Sequence, residues 1–167
     1  MIEVIVDDLG FVRADAVIRP ADERLEPVQR AAARLDEQAG PKFGELRKVN
    51  NPLVVGAAVV TGGGELTAPL VIHAVIQSRQ ENVSRDTVRR ALTSAWQRAA
   101  QFHLMSVAMP LVGAGAGQLP AEESARLIKE TWNDPARLAE FPAALTIVVE
   151  RERDREELLP FFTVRPS

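Results

Sequence analysis

With 167 residues, 46% of them apolar and 26% charged, the chain is long enough to bury one substantial core and short for two. A net charge of −3 gives no global attraction to DNA or RNA, and the absence of cysteine excludes disulfides and thiolate zinc sites. Two histidines, His73 and His103, stand at no metal-binding spacing, so neither a metal nor a cofactor is expected. The first ten residues lack a signal peptide's basic and apolar regions, and no apolar run is long enough to span a membrane; the expectation is a cytoplasmic protein.

Residues 2–6 read as a strand rich in β-branched side chains, ended by Asp7, Asp8 and Gly10. A second short run over 14–18 is expected to stop at Arg19-Pro20, and from Asp22 the pattern turns helical. Val28, Ala31, Ala32, Leu35 and Ala39 share a face there, closed by Gly40-Pro41. Residues 42–52 read as a loop, 54–61 as a strand, 62–64 as a glycine turn and 70–76 as a further strand. Residues 84–103 make an amphipathic helix whose stripe is Val88, Ala91, Leu92, Ala95, Trp96 and Ala99. Its arginines, Arg85, Arg89, Arg90 and Arg98, form a solvated face or one offered to phosphates. A helix over 122–132 turns Ala125, Ile128 and Trp132 inward. A helical turn to Glu140, a strand over 143–149, a closing helix over 154–162 and a fraying tail from Thr163 complete the chain. Apolar strands alternating with helices predict a sheet covered on both faces, in one domain over 1–167 with its core at about 2–162.

Residues 106–128 concentrate the chemistry. A strand of 106–110 is followed by Gly113, Gly115 and Gly117, then by Pro120, Glu122 and Glu123 at a helix start. Glycine lets backbone approach a ligand closely, the first helical turn leaves N–H groups unpaired, and Pro120 suits that turn because it has no N–H. The same pattern also describes a strand-to-helix loop that merely needs small residues.

Four segments in order resemble the macro domain family, the ADP-ribose-binding α/β/α module. They are Asp8-Leu9 with Ala14-Asp15-Ala16-Val17-Ile18; Gly56 to Gly62 with Leu66 and Val71-Ile72-His73; Val107-Ala108-Met109-Pro110; and the glycine loop running through Pro120 into Glu122-Glu123-Ser124-Ala125-Arg126. The resemblance implies a three-layer α/β/α sandwich with a mixed, largely parallel central sheet. It places Asp8 where the family's carboxylate reads the adenine amino group, with Leu9 beside it; the residue's other reading is a turn cap after the first strand. It places Val112, Gly113, Ala114, Gly115, Ala116 and Gly117 in the phosphate loop. Where the family carries Asn-Ala-Ala-Asn, this chain reads Arg19-Pro20-Ala21-Asp22. Where the family carries a glycine cluster, it reads Glu26-Pro27-Val28-Gln29-Arg30, with helix expected to begin early. Gly117 and Gln118 stand where the family often has an aromatic residue and a glycine.

Three functions follow as expectations. The first is binding of ADP-ribose or a related nucleotide-like, phosphate-bearing small molecule without efficient catalysis. There Asp8 and Leu9 hold the base, Val112 to Gly117 supply donors, and Arg19 and Asp22 lie in the old ribose segment. Arg19 is read either as a guanidinium for an anion or as a side chain in solvent or salt-bridged to Asp22. The second is a ligand-free scaffold or homo-oligomer, with Leu158, Leu159, Phe161 and Phe162 as a candidate interface or simply a helix docked on the sheet. The third is an ADP-ribosyl or O-acetyl-ADP-ribose hydrolase, which lacks a visible base: His73 reads as a core histidine and His103 as a helix C-terminal one.

Overall fold

The computed structural model describes residues 1–115, 118–137 and 140–162. Six strands, β1 (Ile2–Val6), β2 (Ala16–Asp22), β3 (Ala58–Gly62), β4 (Leu70–Gln77), β5 (Ser106–Met109) and β6 (Ala144–Val149), form one sheet in the order β1-β6-β5-β2-β4-β3. Neighbours are parallel except β3, which runs antiparallel to β4 at the edge. Among the described residues a 3-10 turn (Leu9–Phe11) and five α-helices accompany it: α1 (Arg30–Gln38), the single turn α2 (Phe43–Leu46), α3 (Arg85–Gln101), α4 (Ala121–Trp132) and α5 (Glu152–Phe162).

The strands are apolar on both sides because both sides are covered. Side chains alternate across a strand, so Ala16 and Ile18 of β2 enter one core with Val88, Leu92, Trp96, Ile128 and Leu158 of α3, α4 and α5. Val17, between them, enters a second core with Leu35 of α1, Phe43 of α2 and Val71, Ala108 and Val148 of the neighbouring strands. The result is the expected mixed, largely parallel α/β/α sandwich. α3 is held at its start by a reciprocal capping box between Ser84 and Thr87. Three of its four arginines are ion-paired, Arg85 with Glu123, Arg89 with Glu130, and Arg90 with Glu81 and Asp86, and Arg98 donates to Gln101. Trp96 donates to Thr131 Oγ1 (3.0 Å) and meets Trp132 edge to face, joining α3 to α4.

Several boundaries differ from the sequence expectation. β2 does not stop at Arg19-Pro20 but runs on to Asp22. Within a strand a residue's N–H and C=O point to the same side, and the Pro20 carbonyl accepts from Val28 outside the ladder. The missing N–H therefore faces the side where β5, paired only at Ala16 and Val17, has already ended. The helix expected from Asp22 begins only at Arg30. Asp22 Oδ1 instead accepts the Arg24 and Glu26 amides, Leu25 takes a left-handed φ of 61°, and Pro27 bridges back to Ala21, forming an irregular turn. The segment read as a loop over 42–52 contains α2, which presents Phe43 to the core. The strand expected from residue 54 begins at Ala58, because Gly56 turns the chain at a φ of 95°. Pro120 stands just outside α4, as its N-cap, and α5 begins two residues earlier than expected. Part of the turn expected before Glu140, and the tail from Thr163, lie outside the described residues.

Strand order positions the site. The connection leaving the C-terminal end of β2 travels toward β3 and β4, whereas the one leaving β5 travels the other way through α4 to β6. Loops that diverge from adjacent parallel strands open a crevice at their carboxyl ends.

Candidate functional site

A groove of about 970 Å³ lies at that crevice. Its walls are Val28 to Ala31 after β2, Pro110, Leu111, Ala114, Gly115 and Gln118 to Ala121 after β5, Val148 to Arg151 at the end of β6, and Asp154, Glu157 and Leu158 of α5. A smaller recess of about 230 Å³ shares Ala31, Pro110 and Val148 to Glu150 with it and extends to Asp7, Asp8 and Leu9. One continuous surface therefore connects Asp8 to the glycine loop.

At the Asp8 end, α1 supplies two donors one turn apart. Arg34 Nη2 lies 2.8 Å from Asp8 Oδ2, and Gln38 Nε2 lies 2.7 Å from Oδ1. The Arg34 hydrogen bond is the main reason the Asp8 carboxyl is held below its ordinary pKa, partly opposed by desolvation. Asp8 is thus an ionised acceptor facing the recess.

At the other end, Gln29 closes the loop after β5. Gln29 is the N-cap residue of α1 but does not cap it; its side chain reaches across the groove. Oε1 accepts the Gly113 N–H at 2.7 Å, while Nε2 donates to the Leu111 and Ala114 carbonyls at 2.9 and 2.8 Å. The Ala114 and Gly115 amides go to Leu111 and Leu119 carbonyls. Val112 is buried, and Ser124 donates to its carbonyl at 2.6 Å, tying the first turn of α4 to the loop. Gly113 is irreplaceable in this arrangement. Its φ is 85°, and a Cβ would lie 2.6 Å from Val88 Cγ2 on α3. Gly113→Ala is expected to cost about 2 kcal/mol or more in urea unfolding, the left-handed strain and the clash adding together; an unchanged midpoint would contradict this packing.

The sequence-expected residues divide. Asp8, Leu9, Ala114 and Gly115 line the continuous groove, while Val112 and Gly113 support it from behind. Ala116 and Gly117 lie outside the described residues. Asp22 organises its own turn. Arg19 neither faces solvent nor pairs with Asp22: it is 0% exposed, on the face of β2 that packs against α1. Its Nε and Nη2 meet the two Asp36 carboxylate oxygens at 2.6 Å each. Its Nη1 lies 3.1 Å from Nδ1 of His73, the β4 residue directly opposite, and Phe43 packs under both groups.

That contact assigns the imidazole tautomer. Arginine can only donate, so Nδ1 accepts, and the single N–H of the neutral ring sits on Nε2, donating to Thr61 Oγ1 at 2.7 Å; the Thr61 hydroxyl donates onward to the Gly62 carbonyl. Burial, aided by the charges of Arg19 and Arg47, pushes the His73 pKa down to about 3. His73 is a neutral, fully bonded core residue. His103 follows α3 with its ring against Phe141, away from the groove. Gln29, Arg34, Gln38 and Asp36 were not anticipated. The one available signal is an arginine directly following an apolar run, which, once β2 carries it into the core, demands a buried counter-charge.

Comparison with known proteins agrees with this architecture. The chain is 35% identical over 127 residues to an uncharacterized protein of Aeropyrum pernix, covering 75% of this chain and 67% of that one. It is 28% identical over 127 residues to an uncharacterized protein of Mycobacterium tuberculosis, covering 76% of this chain and 35% of that protein; the chain thus spans about a third of this relative's length. Among solved structures, a mutant of the Oceanobacillus iheyensis macrodomain with ADPR superposes at a TM-score of 0.77 and 20% identity, over 96% of this chain and 92% of that one. A family model described as Macro domain matches residues 18–128. By that match, the chain belongs to the macro domain family.

Proposed function

We propose that the chain binds ADP-ribose, or a related nucleotide or phosphate-bearing small molecule, in this groove and does so without efficient catalysis. The observation that carries the reading is the open, continuous surface from Asp8 and Leu9 to Ala114 and Gly115, at the carboxyl ends of the parallel strands. The O. iheyensis macrodomain, with the same fold, has been solved with ADPR. Asp8, kept ionised by Arg34, accepts a hydrogen bond from the exocyclic amino group of a base. Arg19 and Asp22 stand outside the proposed contacts, since one is buried and the other holds a turn. Against catalysis, no histidine lines the groove among the described residues, Arg151 holds the carboxylate of Asp154, and Arg153 pairs with Glu157. The other lining carboxylates, Asp7 and Glu150, are exposed to water rather than held toward a ligand as Asp8 is. Efficient ribose chemistry needs a positioned base or water-orienting group.

Calorimetric titration with ADP-ribose, alongside AMP, ADP and NAD, tests the reading. Asp8→Ala is expected to weaken ADP-ribose binding roughly 10- to 100-fold, the range of a lost charged hydrogen bond. Thermal stability should fall only modestly, because Arg34 is 55% exposed and, like Gln38 at the groove surface, can turn to water when the half-buried carboxylate is removed. Absence of heat with all four ligands would defeat the proposal. It would instead favour a scaffold, a reading with one observation of its own: Gln29 closes the glycine loop without a ligand.

A further inference from the structure

Gln29 also bears on which ligands the groove accepts, an inference that rests on the groove being a nucleotide site. We propose that Gln29 sets the ligand class. Its carboxamide replaces an anion at the glycine loop, so the groove recognises the nucleoside part of its ligand, and a diphosphate gains nothing from the Gly113 backbone.

The chemistry of the occupied spot carries the argument. Two carbonyl oxygens, of Leu111 and Ala114, and one N–H, of Gly113, converge on the Gln29 amide. A carboxamide has two N–H donors on one end and an acceptor on the other, and all three partners are matched at 2.7–2.9 Å. A phosphate is acceptor-only near neutral pH. It would satisfy the Gly113 N–H but set its oxygens against both carbonyls, leaving that of Ala114 without its Gln29 donor and that of Leu111 with only the Ala114 N–H. The amides on either side add no compensation, since Ala114 and Gly115 are already bonded within the loop.

The groove's charges point the same way. Arg34 is held by Asp8 and Arg151 by Asp154, while Asp7 and Glu150 have no ion pair among the described residues. Arg30 is the one lining guanidinium without an ion pair among them, and it is exposed, so water and salt screen it. A multiply charged phosphate group therefore meets a filled donor site and no unscreened cation among the described residues, whereas a nucleoside keeps Asp8 and the apolar part of the walls.

The test is a ligand series followed by calorimetry and by the backbone amide resonance of Gly113. For the unaltered protein, adenosine, AMP, ADP and ADP-ribose are expected to bind within about threefold of one another. Saturation with ADP-ribose should leave the Gly113 amide where adenosine leaves it. In Gln29→Ala the Gly113 amide should lose protection from hydrogen exchange and begin to respond to ADP-ribose, with affinity rising with each added phosphate. ADP-ribose binding more than tenfold tighter than adenosine to the unaltered protein, or a Gly113 shift that follows the phosphates, overturns the inference while leaving the nucleotide site standing. Failure of all four ligands to bind removes the nucleotide reading and this inference with it.

Discussion

Asp36→Ala is expected to destabilise the protein by about 3–5 kcal/mol, the usual cost of removing one member of a buried ion pair. Arg19 is 0% exposed, and both oxygens of Asp36 bind its guanidinium at 2.6 Å. Asp36 itself keeps only 14% of its side chain accessible and has Arg47 as a further neighbour at 3.8 Å. Without the carboxylate, Arg19 retains one neutral acceptor, His73 Nδ1, and a ring beneath it, neither of which offsets a full charge removed from water. The penalty belongs to the orphaned charge rather than to the pair, so replacing both partners should be far milder. Urea unfolding followed by the fluorescence of Trp96 and Trp132 measures both. The double variant Arg19→Met with Asp36→Leu should recover most of the loss. A single-variant cost below 1 kcal/mol would mean that Arg19 finds water or another partner, contrary to its burial.

The second large effect is on acid stability. His73 has a pKa of about 3 in the folded protein against an ordinary value near 6.5. The unfolded chain therefore binds a proton that the folded one refuses. The stabilising contribution is complete above pH 6.5 and is lost as pH falls toward 3, at about 1.4 kcal/mol per pH unit. Between pH 6.5 and 4.5 the loss from this one group is about 2.3 kcal/mol. Protonation would place a cation against Arg19, with Arg47 also near, so no local rearrangement absorbs it cheaply. His73→Gln offers the test, because an amide keeps an acceptor for Arg19 and a donor for Thr61 but does not titrate. Its unfolding free energy should fall less between pH 6.5 and 4.5 than that of the unaltered protein. Equal slopes would show that His73 is charged in the folded state or reaches solvent.

The fold was largely legible in the chain itself. Apolar strands with no polar face announced a sheet covered on both sides, and the stripe from Val88 to Ala99 placed α3 correctly. Errors clustered where local chemistry overrides periodicity: at Pro20, whose missing N–H is harmless only because β5 ends early, and at Asp22 to Pro27, where side-chain and backbone bonds build a turn in place of helix. Of the candidate site, the glycine loop could be named from its strand-to-helix position, and Asp8 only through the resemblance to the macro domain family. Arg34 and Gln38 could not, because the face of α1 that meets Asp8 depends on where that helix starts.

By itself the sequence determined the alternation of strands and helices, the two-sided core and a glycine loop between a strand and a helix. These follow from side-chain period and backbone freedom, which are local. Tertiary structure alone decided that Arg19 belongs to the core and Gln29 to the site. Arg19 and Asp36 are separated by 17 residues, and Gln29 and Gly113 by 84. No local rule pairs such residues. Strand register sets Arg19 beside His73, packing of α1 brings Asp36 over it, and the divergence of two loops leaves a gap that one carboxamide spans.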